Sequence, residues 1–77
     1  MAELLEFLAR SLVDEPEAVS VESFEEDDGT VVLEVRVAEG EVGKVIGRGG
    51  RTVNALRAVM RACSVKHGRR VLVDVVD

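Results

Sequence analysis

Hydrophobic residues recur along this chain at two spacings, one typical of helices and one typical of strands. Between Ala2 and Val13, leucines stand three and four positions apart, with charged residues on the other faces. This pattern predicts an amphipathic helix. Asp14-Glu15-Pro16 ends it, because proline disfavours the helical conformation in the residue before it and has no N–H to donate.

The next segment predicts an antiparallel hairpin. From about Ala18 the apolar residues alternate imperfectly, which is consistent with a first strand that contains a bulge. Asp28-Gly29 is a strong hairpin signal. Residues 31–37 then alternate regularly between valine or leucine and polar residues, which predicts a second strand.

The second half of the chain predicts two helices joined by glycines, and then a final strand. Val42–Ile46 can form one or two helical turns before Gly47–Gly50 interrupts it. From Arg51 to His67 apolar residues return at helical spacing, and Gly68 is a good helix terminator. Val71–Val76 is β-branched and apolar, which predicts a closing strand largely buried against the sheet.

Length and composition favour a small binding module over an enzyme. The chain has 77 residues, which is one small domain with no room for a second domain that holds a cofactor. Its single cysteine cannot form an internal disulfide, and neither a metal-ligand cluster nor a nucleophile–base pair is identifiable. We therefore expect no catalytic residues, no metal and no cofactor. With no leader and no membrane-spanning stretch, we expect a cytoplasmic protein without a membrane partner.

Charge changes this picture because it is segregated along the chain. Ten Lys or Arg against fifteen Asp or Glu give a net charge of −5, which by itself argues against a polyanionic partner. Residues 1–41, however, hold thirteen acidic and two basic side chains, whereas residues 42–70 hold eight basic and no acidic ones. The basic block is therefore the segment where a nucleic acid would bind.

A glycine turn, Gly47-Arg48-Gly49-Gly50, lies at the start of this basic block. Glycines let a sugar-phosphate chain approach the main chain, and the following helix begins with free N–H groups and a positive dipole end. Arg48 and Arg51 add positive charge, while Ile46 and Val53 offer an apolar surface to bases. The turn is a candidate site for holding a phosphate backbone.

Other glycine-rich phosphate motifs fit the turn less well. A P-loop that ended at Gly50-Arg51-Thr52 would need a glycine at Val45. A dinucleotide fingerprint that began at Gly47 would need a third glycine at Thr52, and no strand precedes it. The helix-hairpin-helix motif is nearer and stays as an alternative, although such turns usually carry an apolar residue where Arg48 stands.

The stretch Val45–Val53 resembles the signature of a KH domain, with Gly47-Arg48-Gly49-Gly50 matching its GXXG loop. The predicted element order resembles the prokaryotic type II arrangement. This resemblance covers residues 1–77 as a single KH domain and is nearest to the small bacterial KhpA-like (YlqC-like) proteins. It implies an α+β fold of order α-β-β-α-α-β, in which three helices pack on one side of a three-stranded mixed sheet.

The resemblance also implies that the GXXG loop clamps about four nucleotides of single-stranded RNA beside an aliphatic groove. The loop would contact the RNA backbone, Ile46 and Val53 would line the groove, and the loop after the last helix would close its other wall. The residues that the match assigns to RNA binding are Lys44, Ile46, Gly47, Arg48, Gly49, Gly50, Arg51, Val53, Asn54, Arg57, Arg69 and Arg70. Phe7 and Phe24 are the only aromatic residues and lie outside the basic block, so modules that depend on base stacking fit poorly.

Two functions follow from the sequence. The first is a single-strand RNA-binding protein that acts as an RNA chaperone or post-transcriptional regulator. The alternative is a protein-interaction subunit that pairs with itself or with a second KH-domain protein, with RNA binding secondary.

Overall fold

The computed structural model describes residues 1–66 and 68–77. The elements follow in the order α1 (Ala2–Arg10), β1 (Ser20–Glu25), β2 (Val31–Arg36), α2 (Val42–Ile46), α3 (Arg51–Val65) and β3 (Val71–Val76). This order confirms the prediction, although the expected end of the last helix at His67 lies outside the described residues. Among the residues described, no helix is both long and apolar enough to cross a membrane.

The three strands form one mixed sheet in the order β1-β2-β3. β1 and β2 pair antiparallel, with Ser20 beside Arg36 at one end and Glu25 beside Val31 at the other. β2 and β3 pair parallel, with Val31 beside Val71. Parallel neighbours cannot be joined by a tight turn, so the chain crosses over through α2 and α3. The predicted α+β fold is confirmed.

The helices cover one face of this sheet and form a single core with it. Val31, Leu33 and Val35 point from β2 into the core and are each at most 6% exposed. They pack with apolar residues from all three helices and from β3. These residues are Leu5, Ala9, Val45, Leu56, Met60 and Val73.

α1 is three residues shorter than predicted. It ends at Arg10, and Ser11 donates from its Oγ to the carbonyl of Phe7 at 3.0 Å. The N–H of Leu12 donates to the carbonyl of Ala9, three residues earlier, so the chain tightens here and leaves the α-helical path. A serine that hydrogen-bonds its own backbone in this way competes with helix continuation.

Two predictions about the outer strands are wrong. β1 pairs residue for residue with β2 and contains no bulge; its pattern is irregular because Phe24 lies on the sheet face without helices, where it is 47% exposed. β3 is not largely buried. Val73 is its one buried residue, and Leu72 is 43% exposed. Both strands are sheet edges covered on one face only, so their alternate side chains meet solvent.

The predicted hairpin turn at Asp28-Gly29 is confirmed. The N–H of Gly29 donates to the carbonyl of Glu26 at 2.9 Å, and Gly29 has a φ of 87°. The backbone N–H of Thr30 donates to Asp28 Oδ1 at 2.9 Å. The hydrogen bonds that Thr30 makes to this carboxylate, from its backbone N–H and from its side chain, lower the pKa of Asp28.

A buried carboxylate fixes the chain before β1 to the start of α2. Glu41 is 6% exposed, and its oxygens accept from the N–H of Asp14 at 2.9 Å and of Glu15 at 3.4 Å. Lys44 lies 3.8 Å from the same carboxylate. Glu41 therefore holds α2 in place, although α2 is too short to be stable alone. Nothing in the local sequence pattern indicates this role, because the two N–H groups lie 26 and 27 residues earlier in the chain.

We expect Glu41→Ala to lower the free energy of unfolding by about 1–3 kcal/mol, because it leaves two N–H groups without their acceptor. Urea unfolding followed by circular dichroism measures the change. Glu39→Ala is the matched control, since Glu39 is exposed. Equal stability of the two variants would contradict the anchoring role of Glu41.

Candidate nucleic-acid interface

The turn between α2 and α3 has a backbone that favours glycine at three of its four positions. Gly47 ends α2 with a φ of 77°, and its N–H donates to the carbonyl of Gly43 at 2.9 Å. Gly49 and Gly50 have φ values of 64° and 80°. Residues with a Cβ rarely adopt these angles, so the three glycines permit the chain to reverse here.

The glycines differ in what surrounds them. A Cβ on Gly47 would lie 2.7 Å from the Cβ of Thr52, so this glycine is required by close packing inside the turn. A Cβ on Gly49 would meet no atom within 4 Å. Gly47 therefore closes the turn against α3, whereas Gly49 leaves its outer surface open to a ligand.

The turn leads directly into the N-terminus of α3. The N–H of Gly50 donates to the carbonyl of Gly47 at 3.2 Å, and that of Arg51 donates to Arg48. The start of a helix, with its positive dipole end, favours an anion such as a phosphate.

Basic side chains continue from the turn along α3. Arg48 and Arg51 are exposed, and neither has a carboxylate at ion-pair distance in the part of the chain that the structure describes. Asn54, Arg57 and Arg61 follow Arg51 at spacings of three, three and four, which places them on one face of the helix. The turn and this face form one electropositive surface.

Arg57 connects that surface to the free edge of the sheet. Its Nη1 donates to Asn54 Oδ1 at 3.4 Å, and its Nη2 donates to the carbonyl of Val73 at 3.3 Å. A cleft of about 570 Å³ lies here between α3 and β3. Arg61 also lines this cleft. Arg61 is not among the residues assigned to RNA binding from the sequence, although its spacing of four from Arg57 places it on the same helix face.

The two predicted groove residues differ in exposure. Ile46 is half-buried at the end of α2 and keeps part of its side chain accessible beside the turn. Val53 is 3% exposed, so it supports the surface from beneath and offers little area for contact.

Lys44 faces away from the turn, toward the chain between α1 and β1. Its Nζ pairs with Asp14 and lies 3.8 Å from Glu41. The hydrogen bond to the Asp14 carboxylate stabilises the charged amine and raises the pKa of Lys44.

Arg69 and Arg70 lie at the other end of α3, about 20 Å from the turn along a helix of 15 residues. Nη1 of Arg69 is 2.9 Å from Oε1 of Glu25, so Arg69 faces the acidic β1–β2 hairpin. Arg70 lines a shallow cleft that it shares with Asp28. The structure therefore groups Arg48, Arg51, Asn54 and Arg57 around the turn and places Arg69 and Arg70 apart from them.

The fold matches part of a solved structure of Era. The crystal structure of Era in complex with MgGDPNP and nucleotides 1506–1542 of 16S ribosomal RNA aligns with a TM-score of 0.64 and 22% identity. The alignment covers 96% of this chain and 28% of the Era chain. At this identity the likeness shows the fold alone.

Sequence comparison is more specific. Relatives named RNA-binding protein KhpA include those of Streptomyces coelicolor, 49% identical over 77 residues, and Halalkalibacterium halodurans, 45% identical over 78 residues. These alignments cover 100% of this chain and 92% and 100% of the relatives. The KhpA of Borreliella burgdorferi is 43% identical over 97% of this chain and 90% of its own length.

A family profile described as KhpA/KhpB, KH domain, matches residues 2–75, which include the glycine turn, α3, β1, β2 and all of β3 except Val76. With this match and relatives above 40% identity over nearly the whole chain, the chain belongs to the KhpA/KhpB KH-domain family.

Proposed function

We propose that the chain acts as a single KH domain, residues 1–77, that binds single-stranded RNA and catalyses no reaction. The observation that carries this proposal is the turn itself. It combines an open backbone at Gly49, the N-terminus of α3 directly after the turn, and two arginines without carboxylate partners in the described residues. The relatives named RNA-binding protein KhpA support the same function.

In this proposal the turn holds the RNA backbone. Phosphates lie against the open backbone at Gly49, while Arg48 and Arg51 supply charge from either side of it. About four nucleotides fit such a loop. Because phosphate contacts carry no sequence information, they position the strand and leave base selection to the neighbouring cleft.

The bases would extend from the turn toward the cleft between α3 and β3. Ile46 offers them an aliphatic surface, and Asn54 and Arg57 offer hydrogen-bond donors. A base can enter this cleft only when it is unstacked and unpaired, which favours single-stranded over duplex RNA. With no aromatic residue in the basic block, each base gains little stacking energy and the affinity of one domain is modest.

Lys44, Arg69 and Arg70 make a smaller contribution in this proposal. Lys44 and Arg69 are paired with carboxylates, so their charges are partly neutralised before RNA arrives. We propose that they attract RNA over a longer range, whereas the arginines at the turn contact it directly. RNA binding of modest affinity and weak sequence selectivity is suited to an RNA chaperone or post-transcriptional regulator in the cytoplasm.

Gly49→Asp is expected to lower RNA affinity by about tenfold or more, because it adds a negative charge where the phosphate would lie. Fluorescence anisotropy with a labelled oligouridylate at low salt measures the affinity, and circular dichroism monitors folding. Gly40→Asp is the matched control, since Gly40 also has a positive φ and open surroundings. Unchanged RNA binding by folded Gly49→Asp would rule out the proposed clamp.

Replacing Arg48 and Arg51 together with alanine should weaken binding and make it less sensitive to salt. The slope of log affinity against log salt should become shallower by about 0.7 for each phosphate contact removed. The same titration at several KCl concentrations gives the slope. Arg10→Ala is the control, because Arg10 pairs with Glu6 on α1, away from the turn. A double variant with an unaltered slope would show that these arginines do not contact phosphates.

A second function, protein association, is favoured by a specific observation. Large apolar side chains are exposed on α1 and α3, where Phe7 is 67%, Val65 is 73% and Val59 is 41% exposed. Between the two helices, Leu4 and Cys63 line a mainly apolar cleft. We propose that this α1–α3 surface pairs with a second copy of the chain or with another KH-domain protein.

If the chain pairs with itself through this surface, Val59→Glu should convert the dimer to a monomer without loss of folding, because burying an unpaired carboxylate is costly. Sedimentation velocity over a range of concentrations measures the assembly state. Glu22→Ala on β1 serves as the control. A concentration-independent monomer of the unaltered protein would contradict self-association and leave the RNA proposal unaffected.

A further inference from the structure

The face of the sheet opposite the helices is uncovered. Side chains alternate along each strand, so every second residue of β1, β2 and β3 points to this side. We call it the open sheet face. It consists of Ser20, Glu22, Phe24, Val32, Glu34, Arg36, Leu72, Asp74 and Val76.

An apolar row crosses all three strands of the open sheet face. Phe24 pairs directly with Val32, and Val32 pairs directly with Leu72. Phe24 is 47% exposed and Leu72 is 43% exposed, so the two ends of the row present large apolar surfaces to solvent. Residues of this size in register at three adjacent positions form a continuous patch rather than scattered contacts.

A row of three carboxylates runs beside the apolar row. Glu22 pairs with Glu34, and Glu34 pairs with Asp74. Like charges directly opposite one another in a sheet are destabilising. Nη2 of Arg36 is 3.3 Å from Oε1 of Glu34, and Nη1 of Arg36 donates to the carbonyl of Asp77. Among the residues described, Glu22 and Asp74 have no cationic partner.

We propose that the open sheet face is a docking surface for an amphipathic helix of another protein, whose apolar stripe is flanked by Lys or Arg. Its charge is complementary to the carboxylate row, and the cations it brings would relieve the repulsion within that row. The neighbouring apolar row would bury Phe24 and Leu72, which supplies the hydrophobic part of the binding energy.

The dimensions of the two rows suit a helix that lies across the strands. Strands are about 4.8 Å apart, so each row is about 10 Å long, and the two rows are about 6.7 Å apart. Along a helix, residues seven apart are about 10.5 Å apart, which matches the length of the apolar row. Basic residues on the flank of that helix then lie above the carboxylate row.

Other occupants fit this face less well. Nucleic acid would meet three carboxylates in one row. A second copy would have to present its own basic surface, which surrounds the proposed RNA site, and its α1 carries Glu3 and Glu6. Val32, Leu72 and Asp74 of the open sheet face also line the cleft between α3 and β3, whereas Glu22 and Phe24 on β1 lie outside that cleft. Variants on β1 therefore test this inference separately from the proposed RNA binding.

The test uses a synthetic peptide of about 18 residues, five helical turns, with leucines on one face and lysines beside them. Isothermal titration with the full chain should give saturable binding. Amide chemical shifts should change at residues 22–24, 32–34 and 72–74. The same peptide with glutamate in place of lysine should not bind, which tests charge complementarity without altering the protein.

A matched pair of double variants distinguishes specific binding at the open sheet face from nonspecific binding of the peptide to exposed apolar residues. Glu22→Gln with Phe24→Ser alters β1, the strand furthest from the cleft at β3, and should weaken peptide binding about tenfold. Glu17→Gln with Leu12→Ser removes an exposed carboxylate and an exposed apolar side chain outside both proposed protein surfaces, and should leave binding unchanged.

Three results would overturn the proposal. These are no saturable binding of the lysine peptide, shift changes on α1 and α3 instead of the sheet, or equal losses in both double variants. If the Glu22 and Phe24 variant abolished self-association in sedimentation, the occupant would be a second copy and the proposal of a separate protein would be wrong. RNA affinity measured on the same variants is expected to stay unchanged, so the outcomes for RNA and for the docked helix can be told apart.

Discussion

The parallel pairing of β2 with β3 is the constraint on which the rest of this structure depends. Adjacent parallel strands cannot be connected by a hairpin, so the chain must leave the sheet, cross one face and return. Here that crossover is α2, the glycine turn and α3. Burial of Val45, Leu56 and Met60 holds the crossover against β2. The position of the turn follows from how the sheet is paired, because the turn lies where the crossover reverses direction.

Within the crossover, some residues hold the turn in place by packing and hydrogen bonding, and a different residue leaves its outer surface open to a ligand. Glu41 accepts hydrogen bonds from the chain between α1 and β1 and so holds the short α2 in place. Gly47 lets Thr52 pack closely beneath the turn. Gly49 is free of such contacts. A turn that is held from below in this way presents a fixed backbone surface, which lowers the entropy cost of binding an anion.

The charges that are segregated along the chain lie on three surfaces of the fold: the glycine turn, the regions where basic residues pair with carboxylates, and the open sheet face. Arg48 and Arg51 extend outward at the turn without carboxylate partners among the described residues, and the acidic N-terminal half neutralises part of the basic block through Asp14 and Glu25. The open sheet face keeps its carboxylates side by side. The net charge of −5 therefore describes none of these surfaces, since each surface has its own potential.

Sequence alone determined the features that depend on neighbours in the chain. The order of elements, the bounds of Val42–Ile46 and the glycine turn rest on local spacing and backbone preference, and the structure confirms them. Only the tertiary structure decided which residues meet across long separations. It paired Lys44 with Asp14 and Arg69 with Glu25, and it exposed one side of β3 as a sheet edge. A one-dimensional pattern shows that a side chain is basic or apolar, but its charge partner and exposure depend on which distant strand or loop folds against it.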